Sequence, residues 1–206
     1  MGQKTLEDVR DEIRKLLHTN NKPYGRAGTS LSDLASEIFL SHRKMSHQQD
    51  KCTNCDFARS AKEGDLGSVF ALDTDSTVST SYSLRQYGLE TEENCPMCFS
   101  TMRTDIFYTE FPAMLLFDHS AYYIKPSKII KFNAEKAVKY RLRGLLYFGS
   151  FHFTSRILSS EGDVWFHDGI QTGNDFKSQG HSKLMNDEDW QTCEGRKLVM
   201  SIYMQV

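Results

Sequence analysis

Four cysteines stand in two pairs of identical spacing, Cys52-Thr53-Asn54-Cys55 and Cys95-Pro96-Met97-Cys98. Two intervening residues let a tight turn aim both sulfurs at one tetrahedral ion. Four thiolates close the coordination sphere, so the chemistry they offer is structural rather than catalytic. Zinc is the ion this donor set favours; an iron–sulfur cluster and four reduced, metal-free thiols are the alternatives. His47 lies near the first pair and is superfluous as a ligand beside four sulfurs. The insert between Cys55 and Cys95 exceeds that of a short zinc finger, so the pairs are expected to cap a β-ribbon lobe.

A second group lies nearer the C-terminus. His152 opens an aromatic strand, Asp168 follows the next, and Ser159 to Asp163 form the turn between them. Antiparallel neighbours come within hydrogen-bonding reach, which places the two residues together at the open end of the ribbon. A carboxylate on an imidazole fixes its tautomer and stabilises the imidazolium, the relationship of a general base to its orienter. Taken alone, a structural hydrogen bond is the plainer reading of such a pair. The remaining thiol, Cys193, sits among Asp187, Glu188, Asp189 and Glu194. Acidic neighbours raise a thiol's pKa, which makes it a poor nucleophile.

Two helices and a run of strands must position these groups. Thr5 to Asp8 has the form of a capping box, and Leu6, Val9, Ile13, Leu16 and Leu17 follow at helical spacing. A loop with Pro23, Gly25 and Gly28 separates this helix from a second over residues 30–40, whose stripe is Leu31, Leu34, Ala35, Ile38 and Phe39. Beyond residue 41 the pattern predicts strands over 68–72, 77–83, 104–110, 114–117, 128–132, 139–148, 152–158, 163–167 and 198–204. Residues 169–191 are polar and rich in Gly, Asn and Asp, which predicts a long surface loop. Helices followed by antiparallel strands make an α+β chain.

The 206 residues suit one domain with a protruding lobe. Lys+Arg and Asp+Glu nearly balance, for a net charge of -2. A general polyanion binder needs a basic surplus, so no nucleic-acid partner is expected. Lys and Arg recur from Lys125 to Arg143, as a solvated strand face or a local basic patch. The N-terminus is charged throughout, without a signal peptide, a membrane span or a myristoylation pattern, and an intracellular location is expected. In that compartment thiols stay reduced, which favours metal over disulfides.

In this order the features resemble the ubiquitin-specific proteases, cysteine peptidases that cleave ubiquitin from proteins. In that family two CxxC pairs flank a zinc-holding "fingers" lobe, as Cys52/Cys55 and Cys95/Cys98 do here. A Pro-containing strand follows, similar to Phe111-Pro112-Ala113-Met114-Leu115. The family's strand before the catalytic His resembles residues 140–149, and its His, Trp and acid resemble His152, Trp165 and Asp168. The final strand is similar to residues 198–203, and residues 34–39 loosely match a helix that reads QDAxEFL in the family. The resemblance spans residues 30–204; apart from the paired CxxC, the order of the motifs carries it.

It implies a truncated papain-like cysteine peptidase fold, with N-terminal helices followed by an antiparallel sheet and a zinc-ribbon fingers lobe. The fingers would span 42–112 and a palm-like sheet 113–206, within one domain over 1–206. His152 would be the general base and Asp168 its orienter, with His167 the alternative orienter; Cys52, Cys55, Cys95 and Cys98 would hold Zn2+. The partner would be ubiquitin or a ubiquitin-like protein, and the class a thiol-dependent deubiquitinase. One departure is large: nothing matches the family's nucleophile box, G-L-x-N-x-G-N-T-C-Y-x-N-S, which also supplies an oxyanion donor. The chain thus reads as a protease domain beginning after its nucleophile segment, and as inactive in this form. A ubiquitin-binding pseudoenzyme is the alternative; a zinc-ribbon nucleic-acid binder is disfavoured by the charge.

Overall fold

The computed structural model describes residues 46–63, 69–71, 79–81, 93–108, 110–121, 124–132 and 138–206. The helices expected over 5–17 and 30–40 lie outside these residues. The described part is mostly antiparallel sheet.

A small sheet joins β1 (Ser46–Cys52), β2 (Lys62–Glu63) and β4 (Met102–Tyr108) in the order β2-β1-β4. β1 and β4 are antiparallel in unbroken register, from Ser46 opposite Tyr108 to Cys52 opposite Met102. β1 reads Ser-His-Gln-Gln-Asp-Lys-Cys, with no alternation of apolar residues, so no strand is predicted there. Polar cross-strand pairs replace a core: Thr104 Oγ1 donates to Asp50 at 2.6 Å, and Lys51 meets Asp105 at 2.9 Å. Such exposed pairs contribute little each.

The larger sheet has nine strands. Its path is β10 (Lys177–His181), β9 (Asp163–His167), β8 (His152–Leu158), β7 (Val138–Gly149), β12 (Arg196–Gln205), β5 (Met114–Asp118) and β3 (Val69–Ala71). Off this path, β6 (Ile129–Phe132) pairs with β7 and β11 (Thr192–Cys193) with β12. Only β3 against β5 is parallel among these pairs. One face carries the core. Side chains alternate across a strand, and on that face Leu142, Tyr147, Leu158, Val164, Phe166 and Tyr203 are buried together. The Phe117 and Tyr203 rings meet edge to face at 5.3 Å.

Two expected elements differ from the structure. The strand expected over 77–83 is absent where described: Ser79 makes an isolated bridge to Lys125, and Thr80 and Ser81 are helical. Buried Thr80 uses its hydroxyl to reach Tyr203 Oη and the Ser127 amide, both at 2.9 Å, which favours a local turn over a ladder. The loop expected over 169–191 contains β10 and a short helix, α1 (Asp187–Gln191). β10 is exposed along most of its length and so carries no hydrophobic signal. α1 starts at a capping box of Asn186 and Asp189 and buries Trp190.

Candidate functional site

The two CxxC turns meet at one end of the β1–β4 ribbon. Thr53 N–H donates to Thr101 O at 3.1 Å, and Cys95 N–H to Ser100 O at 2.8 Å. The sulfurs of Cys52, Cys55, Cys95 and Cys98 lie within 4.8 Å of one another. Cys52 to Cys98 is 3.4 Å, and Cys55 to Cys95 is 3.7 Å. With Zn–S near 2.3 Å, tetrahedral geometry separates sulfurs by about 3.8 Å, so the four thiols fit one zinc ion. Amide donors support them: Asn54 and Cys55 N–H point to Cys52 Sγ at 3.3 and 3.4 Å, and Met97 N–H to Cys95 Sγ at 3.4 Å. Hydrogen bonds from the Ser100 hydroxyl and amide draw the Cys98 thiol down to about 6. Against a lowering hydrogen bond at the Phe57 backbone, burial and the other three thiols push Cys55 up to about 12. Metal would supply the positive charge that lets all four ionise. With its sphere closed by protein, such an ion crosslinks the ribbon and activates no water.

The second site is set by a two-residue turn. Gly149 pairs with His152, and Ser150 and Phe151 between them have φ of 52° and 58°. Left-handed backbone at both positions matches the twist of a tight hairpin, at a cost for side chains other than Gly. It makes His152 the first residue of β8, with Phe151 fully exposed at the tip.

His152 Nε2 lies 2.7 Å from Asp168 Oδ1. The Asp168 side chain is fully buried, whereas the His152 side chain is 21% exposed. Asp168 is fixed by its own turn: its Oδ1 accepts from Ile170 N–H at 2.9 Å and Gln171 N–H at 3.2 Å. Burial would raise this carboxyl, but the His152 hydrogen bond and the two amides hold it at about 2. The carboxylate therefore stays ionised beside the ring. With Nε2 on Asp168, Nδ1 has no hydrogen bond among the described residues. A ring that donates from Nε2 to the carboxylate keeps a lone pair on Nδ1.

The structure thus brings His152 and Asp168 together and leaves His167 apart. His167 Nε2 faces Gly173 O at 3.0 Å, and its ring stacks on Phe176 at 5.0 Å. Cys193 is buried in β11, and burial is the largest cause raising its thiol. Its acidic neighbour Glu194 adds a smaller push, so burial rather than the acidic neighbours is the main cause of the rise. Arg196 was not foreseen: its Nη2 lies 3.8 Å from Asp168 Oδ2. It comes from β12, and no local spacing links it to either strand of the hairpin. Gly149 leaves room for it, because a Cβ there would lie 3.1 Å from Arg196 Cγ.

No protein-family model and no curated protein matches the sequence. Solved structures do. The SAGA DUB module of Ubp8, Sgf11, Sus1 and Sgf73 bound to monoubiquitin matches with a TM-score of 0.54 at 10% identity, over 99% of this chain and 49% of that one. A second SAGA DUB module of the same subunits matches at 0.53 and 11% identity, over 100% and 51%. A yeast SAGA DUB module with a variant Sgf73 matches at 0.52 and 10% identity, over 98% and 51%. The chain spans about half the length of the solved chains it matches. At this identity the likeness establishes a shared fold alone, with about half of the matched SAGA DUB module chains. Among the described residues no helix is long and apolar enough to cross a membrane.

Proposed function

We propose that this chain is a ubiquitin-specific-protease-like domain of papain-like descent that binds ubiquitin or a ubiquitin-like protein and does not cleave by itself. The observation that carries the reading is the 2.7 Å contact of His152 with buried Asp168, in a sheet of the Ubp8 fold. In this reading Asp168 orients His152, whose Nδ1 takes the proton of a cysteine thiol, as the base does in thiol isopeptidases. Residues 42–112 act as fingers closed by zinc at Cys52, Cys55, Cys95 and Cys98, and 113–206 as the palm. The five thiols supply no nucleophile, because four converge at the ribbon end and Cys193 is buried.

The test is a titration of labelled ubiquitin with the zinc-loaded chain, read by NMR. Saturable shifts on ubiquitin that weaken with Cys95→Ser are expected. A ubiquitin–fluorophore assay should give no turnover; turnover abolished by Cys193→Ala would overturn the non-catalytic part. Absence of shifts at every ratio would remove ubiquitin as the partner.

The burial of the Asp168 side chain, with Arg196 at 3.8 Å, favours a second reading, a ubiquitin-binding pseudoenzyme whose His152–Asp168 pair is a structural remnant. It differs in one measurement: a peptide carrying a cysteine box, supplied in trans, would give cleavage in the first reading and not in the second.

A further inference from the structure

A surface pocket of about 240 Å³ opens at the β8–β9 turn, where that turn meets β6, β7 and the segment after β10. Lys128, Arg141 and Lys183 line it, with Glu161 the only carboxylate in the lining. Three cations against one carboxylate leave the lining with an excess of two positive charges. None of the three cations has a carboxylate within ion-pair distance among the described residues. Arg141 Nη1 donates to Ser160 O at 2.9 Å, and Lys128 Nζ to Ser182 O at 3.3 Å. Each uses one donor on a carbonyl; Lys128 Nζ also lies 5.9 Å over the Trp190 ring, and since Arg carries five N–H groups and Lys three, both have further donors without a hydrogen-bond partner among the described residues. Glu161 is occupied locally, accepting from Ser160 Oγ at 2.6 Å, which helps hold it ionised.

The pocket wall is pre-formed. His181 uses both ring nitrogens: Nε2 donates to Glu161 O at 3.0 Å, and Nδ1 accepts from Lys183 N–H at 3.0 Å. Ser182 N–H adds a bond to Gly162 O at 2.8 Å. These contacts tie the turn to the segment after β10. Gly162 is required there: φ is +101°, and a Cβ would stand 2.9 Å from His181 Nε2. Behind the charges, Leu142 and Leu158 provide an apolar floor.

We propose that this pocket binds a phosphate monoester. Two surplus positive charges match the roughly −1.5 to −2 charge of such a group at neutral pH. The guanidinium fork of Arg141 suits its oxygens, and the ammonium groups add point charges. The volume exceeds that of a bare phosphate, so the leucine floor takes the carbon body it is attached to. That body belongs either to a free small molecule or to a phosphorylated side chain of a peptide.

The experiment titrates the zinc-loaded full chain with phenyl phosphate, a phosphoserine peptide and its unphosphorylated counterpart, read by amide NMR. Saturable shifts at Ser160, Gly162, Ser182 and Lys183 are expected with a phosphorylated probe and not with the plain peptide. Tighter binding of phenyl phosphate indicates the small-molecule source, and tighter binding of the phosphopeptide the protein source. Arg141→Gln should weaken binding by about tenfold. Lys183→Gln, which removes an exposed side chain with no partner among the described residues, should weaken it severalfold without disturbing the fold. Higher salt should weaken it further. No saturable shift with either phosphorylated probe, equal binding of the plain peptide, or full binding in both variants would overturn the proposal.

Discussion

His152 Nε2 sits 2.7 Å from an Asp168 carboxylate that is itself fully buried and held at about 2. The folded state thus favours the ionised acid over the unfolded chain, where the ordinary value is 3.8. A depressed carboxyl contributes stability that is present above the unfolded pKa and is lost as pH falls through the folded one. The chain should therefore lose this contribution between pH 3.8 and about 2. Asp168→Asn removes the titrating group, so its acid-unfolding curve should be shallower across that window. Identical slopes for the two proteins would show that the pair does not couple to folding.

The metal prediction follows from how little core the ribbon has. Among the described residues of the small sheet and its CxxC turns, the buried apolar side chains are Cys95 and Met102. Zinc bound by four thiolates contributes on the order of 10 kcal/mol in isolated finger peptides, far more than exposed polar pairs provide. One zinc per chain is expected by elemental analysis, and none in Cys95→Ser. Chelation should unfold the β1–β4 ribbon while the larger sheet persists, seen as loss of amide protection confined to residues 46–63 and 93–108. Global unfolding on chelation would mean that the two sheets form one cooperative unit.

Much of the larger sheet was legible because its strands carry one apolar face each. β8 and β9 have the bounds predicted for them, since aromatic and β-branched residues alternate there up to clear turn residues. His152 and Asp168 were legible for the same reason: the turn between their strands fixes which ends meet. β1 and β10 were not, because strands paired through polar or exposed residues leave no period-two pattern. Arg196 escaped because its approach to Asp168 depends on the long-range pairing of β12 with β7, where the register shifts. The four cysteines needed only spacing, because ligand geometry is local within each pair and the ribbon brings the two pairs within 4.8 Å of one another.

A buried histidine gives a second pH effect, at higher pH. His119 is 3% exposed, and its Nε2 lies 2.8 Å from Ser201 Oγ. Desolvation lowers its pKa from 6.5 to about 4, despite the opposing charge of Asp118. The folded state therefore holds the neutral ring, and stability present above pH 6.5 is lost as pH falls towards 4. The full effect is about 3 kcal/mol. His119→Gln keeps a neutral hydrogen-bonding group and should flatten the dependence of the urea midpoint between pH 7 and 4.5. An unchanged dependence would place the titrating group elsewhere.

Arg156 is the buried cation that fastens α1 and β11 to the sheet. It is 7% exposed and has no carboxylate partner among the described residues. Its Nε donates to Gln179 Oε1 at 2.7 Å, and its Nη1 to Tyr147 Oη and Thr192 O at 3.0 Å each. Nη1 also meets Asp189 O, a carbonyl of the short helix. Charge-assisted bonds to these acceptors compensate for the lost hydration; removing the donor takes that bond from the buried Tyr147 hydroxyl and leaves the carbonyls of Asp189 and Thr192, half-buried and exposed, to water. Arg156→Ala should therefore cost roughly 3 kcal/mol, and Arg156→Lys less, because an ammonium cannot span the same acceptors. Trp190, buried beside this anchor, reports on it: Tyr147 Oη also donates to Trp190 O at 3.2 Å. In Arg156→Ala the tryptophan emission should shift to the red before global unfolding, as α1 lifts and Trp190 meets water. A loss below about 1 kcal/mol, with emission unchanged, would mean that the apolar contacts of Trp190 hold the helix without the arginine.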